Sequence, residues 1–177
     1  MKKIIFGAAA VAVLFLSACN SKTGTTAKTD DSTATTLAKN KQTALNSDLA
    51  FNKGDIDAAY KDYAADFVEY GDGTSKPRKN IDSLKIDNKA FLVAFPDAKG
   101  EKLHAVAEGD TVMITGVWTG TFKKDYRKMK ATGKSFKSPD VDIFTFNKDG
   151  KITSHSNIQS YILALYQLGV PMPAKKK

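Results

Sequence analysis

Three runs decide the fold: Gly-Asp-Thr-Val-Met-Ile-Thr-Gly-Val-Trp-Thr-Gly-Thr-Phe (109–122), Ala-Thr-Gly-Lys (131–134) and Val-Asp-Ile-Phe-Thr-Phe-Asn-Lys-Asp-Gly-Lys-Ile (141–152). Alternating segments separated by turn residues predict three long antiparallel strands. On the first, Val112, Ile114, Trp118 and Phe122 share one face, and Met113, Thr115, Val117, Thr119 and Thr121 the other. Gly116 and Gly120 fall in the Trp118 row, where a strand glycine marks curvature or close approach of another group. The second strand, 134–147, carries Phe136, Asp140, Asp142, Phe144 and Phe146 on one side, unless a bulge at Pro139 shifts the phase. The third runs from Lys151 to Tyr161. Simple alternation puts Thr153, His155, Asn157, Gln159 and Tyr161 opposite Ile152 and Ile158, so core isoleucines would turn His155 outward or toward a partner subunit.

Upstream of this sheet the period changes. Leu37, Lys41, Ala44, Leu45, Leu49 and Phe51 recur at helical steps until Asn52-Lys53-Gly54 stops them. Asp55 caps a second, short helix, and 66–70 alternates as a short strand ending at Gly71-Asp72-Gly73. A third helix spans 80–95 and ends at Pro96; a weak strand covers 102–108, and 162–169 reads as a last helical turn. Helix, helix, strand, helix and four antiparallel strands make an α+β domain. The glycines predict a curved antiparallel sheet wrapped around helices as an open cone, curling over the 80–95 helix and leaving a hollow.

The chain has 177 residues and a formal charge of +8. Its lysines are dispersed and interrupted by Asp110, Asp125, Asp140, Asp142 and Asp149, so there is no continuous basic face for nucleic acid. Met1-Lys2-Lys3, the apolar run 4–16 and Leu16-Ser17-Ala18-Cys19 form a leader too short to span a bilayer, and its end resembles the bacterial lipobox. That resemblance implies lipid on Cys19, the only cysteine, and a bacterial envelope protein anchored to a membrane on its periplasmic or surface side. The expected organisation is a signal peptide over 1–19, a flexible polar tether over 20–36, one domain over 37–172 and a basic tail over 173–177.

Within that domain, Ala94-Phe95-Pro96-Asp97-Ala98, Ala107-Glu108-Gly109-Asp110, Trp118-Thr119-Gly120-Thr121, Thr132-Gly133-Lys134, Asp142-Ile143-Phe144-Thr145-Phe146, Asp149-Gly150-Lys151-Ile152 and Gln167-Leu168-Gly169 follow one another with sensible gaps. Together they resemble the SnoaL-like polyketide cyclase group of the nuclear transport factor 2-like superfamily. The resemblance implies a cone-shaped α+β barrel with a pocket between sheet and helices, in a family often assembled as a homodimer through the sheets' outer faces. It also implies an acidic general acid/base on the last strand. There this chain reads Ser154-His155-Ser156-Asn157, with Asn157 where the acid belongs, and it has Phe122 where many members carry histidine after Thr-Gly-Thr. An amide cannot take a proton from a carbon acid. The expectation is therefore a domain binding a small apolar or aromatic molecule without cyclase activity. Tyr63, Tyr70, Phe91, Phe95, Trp118 and Phe144 would line its pocket, with Asn157, Asp142 or Tyr70 fixing orientation.

Two alternatives stand beside that reading. One is a cyclase- or isomerase-like enzyme using Asp142 with His155 or Tyr70. The other is a dimerisation or envelope-assembly module using the face of Met113 and Val117. Two histidines and one lipidated cysteine offer no zinc set, and no glycine-rich phosphate loop or nucleophile elbow implies a cofactor or a covalent intermediate.

Overall fold

The computed structural model describes residues 31–73 and 76–171. The leader, Cys19, most of the tether and the basic tail lie outside these residues. Four helices, α1 (Asp31–Asn52), α2 (Ile56–Ala59), α3 (Ile81–Ala94) and α4 (Tyr161–Leu168), accompany five strands. The strands are β1 (Tyr63–Gly71), β2 (Lys99–Glu108), β3 (Thr111–Thr121), β4 (Ser135–Phe146) and β5 (Ile152–Gln159), ordered β1-β5-β4-β3-β2 in one sheet. β1 runs parallel to β5, and every other pairing is antiparallel. This is the expected α+β arrangement with a curved sheet.

β3 and β4 stay in register from Thr111↔Thr145 to Thr121↔Ser135, so Pro139 adds no bulge and Phe136, Asp140, Asp142, Phe144 and Phe146 all face inward. Curvature comes from β2, whose pairing slips between Glu101 and His104, where Lys102 has φ 55. The slip lays Leu103 over the Trp118 row of β3. A Cβ on Gly116 would lie 2.8 Å from Leu103 Cδ2, so glycine is what lets the two strands fold together there.

The sheet curls over α1, not over the 80–95 helix. α1 packs across β2 and β3, and its last residue, Asn52, holds Gly100 at both backbone groups, donating to the carbonyl at 2.9 Å and accepting from the amide at 2.8 Å. Small buried residues, Ala44 and Ser47, allow this close approach. α3 is capped by Asn80, which accepts from Ser83 N, and it forms the far wall of the hollow. Its Leu84 joins a first core with Phe67, Val112, Ile114, Phe144 and Ile152. Phe95, the residue that caps its C-terminus, stacks on Phe122 at 4.8 Å in a second core with Phe136 and Leu168. α1 also begins at Asp31, taking in the last residues of the expected tether.

β5 ends opposite Asp140, which leaves the first half of β4 without a strand on that side. α4 covers it. Gln167 accepts from Lys137 N at 2.7 Å and donates to Lys137 O at 3.1 Å, replacing the missing ladder. Ser160 caps α4 at its start, and Gly169 in the left-handed region (φ 66) closes its end.

Candidate functional site

Between the concave sheet and the helices lies a cavity of about 700 Å³, wide at one end. Its inner polar end is built by cross-strand pairing. Asp142 lies opposite Asn157, Phe144 opposite His155 and Asp140 opposite Gln159, so all six project to one side of the sheet. On the other flank of β5, His155 is the parallel partner of Glu69 on β1. His155 thus has a glutamate beside it on one strand and an aspartate diagonal to it on the other.

The expected outward orientation of His155 is overturned by a bulge. Phe146 pairs with Ile152 and Thr145 with Ser154, so Thr153 is an extra residue in β5. The bulge moves the phase by one, and both Ile152 and His155 point inward while Ile158 is 66% exposed. Nothing in the alternation of apolar residues signals this, because the residues after Ile152 are mostly polar.

His155 Nδ1 lies 3.0 Å from both Glu69 oxygens, and Nε2 lies 3.0 Å from Asp142 Oδ1. Carboxylates only accept, so both ring nitrogens donate and the ring is an imidazolium. Burial opposes that charge, but the hydrogen bonds and charges of Asp142 and Glu69 outweigh it and hold the ring well above the usual imidazole range. The face of the ring packs on Phe144, with centroids 4.8 Å apart. Trp118 Nε1 reaches Asp142 Oδ2 at 3.4 Å, and Phe51 of α1 meets the indole edge-on at 5.3 Å.

Two further carboxyls share this end. Asp140, 6% exposed, accepts from Val141 N at 2.9 Å and hydrogen-bonds with the Asn157 amide. Burial, then the charge of Asp142, pushes its carboxyl up to about 7. Asp48 of α1 is 7% exposed, and its Oδ2 has no hydrogen-bond partner. Burial, then the charge of Asp142, raises it well above the carboxylate range, although His155 pulls the other way. Tyr63 and Tyr60 close the floor. Ser47 donates to Ala59 O at 2.9 Å and lies 3.3 Å from the Tyr63 hydroxyl, while Asn88 donates to Tyr60 at 2.9 Å. Burial raises both phenols above their ordinary value.

The pocket and catalytic residues singled out from the sequence all line this one cavity: Asp142, His155 and Asn157 at the inner end, Tyr63 on the floor, Phe91, Phe95, Trp118 and Phe144 along the walls, and Tyr70 at the mouth, 46% exposed. Sequence reasoning missed Glu69, Asp48 and the part taken by Asp140. Glu69 was within reach, since it is two residues from the buried Phe67 on an alternating strand. Apolar spacing along α1 does not report Asp48. Its buried side is Asn40, Ala44, Ser47 and Asp48, whereas Leu49 is 44% exposed. With both imidazole nitrogens occupied, His155 offers no lone pair to a metal, and no cluster among the described residues could hold a metal ion.

Residues 41–168 match the family model of the SnoaL-like polyketide cyclase. The fold is similar to AclR of Streptomyces galilaeus, a candidate hydroxylase, at 26% identity and TM-score 0.66, covering 76% of this chain and 99% of that one. It is similar to IdmH of Streptomyces antibioticus, a candidate polyketide cyclase, at 26% identity and TM-score 0.62, covering 74% and 99%. A candidate polyketide cyclase of Xanthomonas campestris shares the fold at 18% identity and TM-score 0.69, covering 75% and 98%. No curated protein sequence matches the chain.

Proposed function

The chain belongs to the SnoaL-like polyketide cyclase family, and we propose on that premise that its cavity binds a largely apolar carbonyl compound and moves a proton at the carbon beside the carbonyl, as a cyclase- or isomerase-like enzyme. The observation that carries this is the convergence of Asp140, Asp142 and the His155 imidazolium in one aromatic-walled hollow. The acid that Asn157 replaces on β5 is supplied from β4, and the Asn157 amide binds it.

The roles divide by environment. A carboxyl that titrates near 7 is half ionised at neutral pH, which suits a group that must take a proton and return it; Asp140 is that base. Asp142 has one oxygen on His155 and the other facing Trp118, so it fixes the imidazolium rather than taking protons. His155 supplies positive charge beside the site where an enolate would form. Trp118, Phe91 and Phe95 bury the apolar body of the substrate and exclude water.

The test is proton exchange at the carbon next to the carbonyl of 2-tetralone in D2O, followed by proton NMR. The native protein should accelerate exchange above the buffer rate, and Asp140→Asn should lower that acceleration by about 100-fold or more. Exchange at the buffer rate with native protein, or an unaffected Asp140→Asn variant, would defeat the assignment. The reading as a binding module without chemistry would then take its place, supported by the commitment of both His155 nitrogens to carboxylates.

We further place the protein at the bacterial envelope, attached to a membrane through lipid on Cys19, on the strength of the lipobox-like Leu16-Ser17-Ala18-Cys19. Incorporation of labelled palmitate that disappears in Cys19→Ser supports the anchor, and label retained by that variant rejects it.

A further inference from the structure

The cavity mouth carries charge of the opposite sign to its interior. Arg78 follows β1, and its backbone pairs with Glu69 in both directions at 2.8 Å, the same Glu69 that holds His155. Arg127 comes from the loop between β3 and β4. The two guanidinium groups meet at one atom, Asp87 Oδ2 of α3, Arg127 at 3.4 Å and Arg78 closer still. Two cations therefore share one anion, and both side chains line the cavity. Each guanidinium has five N–H donors in a planar fork suited to a carboxylate, so this pair retains donors and charge for a second anion.

Arg127 also sits where arginine is not favoured. Tyr126 and Met129 exchange backbone hydrogen bonds at 3.1 and 3.0 Å, closing a two-residue turn over Arg127 and Lys128. Arg127 opens that turn with φ 52, a left-handed conformation that non-glycine residues adopt at a cost. The turn would be served better by glycine. What arginine adds is a guanidinium 5.2 Å above the Tyr126 ring, at the edge of the cavity.

Inside, Glu69 and Asp142 outnumber the single imidazolium, so an anion is repelled from the inner end and attracted to the mouth. We infer that Arg78 and Arg127 dock an anionic group, so that the substrate is an apolar carbonyl compound bearing a carboxylate or similar oxyanion at the end away from the reacting carbon. This rests on the proposed carbonyl chemistry for the identity of the inner end. The pair then orients the molecule, carbonyl inward and anion outward.

Isothermal titration calorimetry with 2-naphthylacetate and its methyl ester, which differ only in the charge, tests the docking. The arginines are 41% and 61% exposed at the side chain, so solvent screens them, and the acid should bind about tenfold more tightly than the ester at low ionic strength, less so in salt. Arg127→Gly suits the backbone and should keep the melting temperature, and Arg78→Gln is a second, independent variant. Each should remove most of the preference by weakening the acid alone. Equal affinity for acid and ester in the native protein overturns the inference while leaving the cavity reading intact. A preference that survives both substitutions also overturns it, and binding of neither probe overturns both. An acid preference lost in the two variants upholds the docking site even if the tetralone exchange fails, in which case only the carbonyl chemistry falls.

Discussion

β4 and β5 lie side by side, face the same hollow and supply most of its chemistry, yet they follow different rules. β4 alternates without interruption for 12 residues, and every second side chain, polar or apolar, is buried. β5 breaks step once, at Thr153, and that single extra residue swings His155 from the outer surface to a position between Glu69 and Asp142. Alternation reports the face of a side chain only until the first bulge. A bulge beside a site re-aims one residue without disturbing the strands around it. Here it brings an imidazole into the diagonal position where Asp142 can hold it.

Removing the residue on which the two strands meet should have the largest effect. Phe144 of β4 is 1% exposed and carries the His155 ring, so Phe144→Ala should lower unfolding stability by about 3–5 kcal/mol in urea titrations. A loss under about 1 kcal/mol would mean the strands do not share a packed core. His155→Gln comes next. It leaves Glu69 and Asp142 facing each other without the cation between them, at a cost of about 3 kcal/mol. Adding Asp142→Asn should restore part of that loss, and a strictly additive double variant would mean the pair is not coupled.

The two strands should also separate in pH. The folded Asp140 carboxyl titrates near 7 against about 3.9 when unfolded, so the folded chain keeps a proton that the unfolded chain has lost. Stability therefore falls as pH rises from about 4 to about 7, and Asp140→Asn should flatten that slope in chemical denaturation. His155 acts in a different window. Its pKa is raised on folding, so its contribution is complete below about 6.5 and is lost only as pH rises through the higher folded value. A slope between pH 4 and 7 that is unchanged in Asp140→Asn would remove Asp140 from the role assigned to it. The smallest effect lies at the far end of β4, where Gln167→Ala removes two hydrogen bonds to Lys137 and should cost about 1 kcal/mol. It should leave the melting behaviour of the His155 cluster untouched.

Much of the fold was legible from particular residues. The order of elements, the faces of β3 and β4, the close approach at Gly116 and the closing Gln167-Leu168-Gly169 all follow from local pattern. Apolar spacing is clearer in 80–95 and points to that helix beneath the sheet, whereas α1 occupies the place. α1 turns polar residues inward, toward a cavity, and apolar spacing cannot see that. The site was legible in its parts: the wall aromatics, Asp142 and His155 were all visible. Their arrangement was not, since it depends on β1 pairing in parallel with β5 and on the slip at Thr153.

By itself the sequence determined an α+β domain with a curved, largely antiparallel sheet and an aromatic-lined interior, because side-chain period and turn chemistry act over a few neighbouring residues. Only the tertiary structure decided that Glu69, Asp142 and His155 form one charged cluster, that a buried Asp140 on β4 lies beside Asn157, and that Arg78 and Arg127 meet at Asp87. Those groups lie far apart along the chain. Their charges and pKa values exist only once strand pairing brings them within a few ångströms of each other and burial removes the water between them.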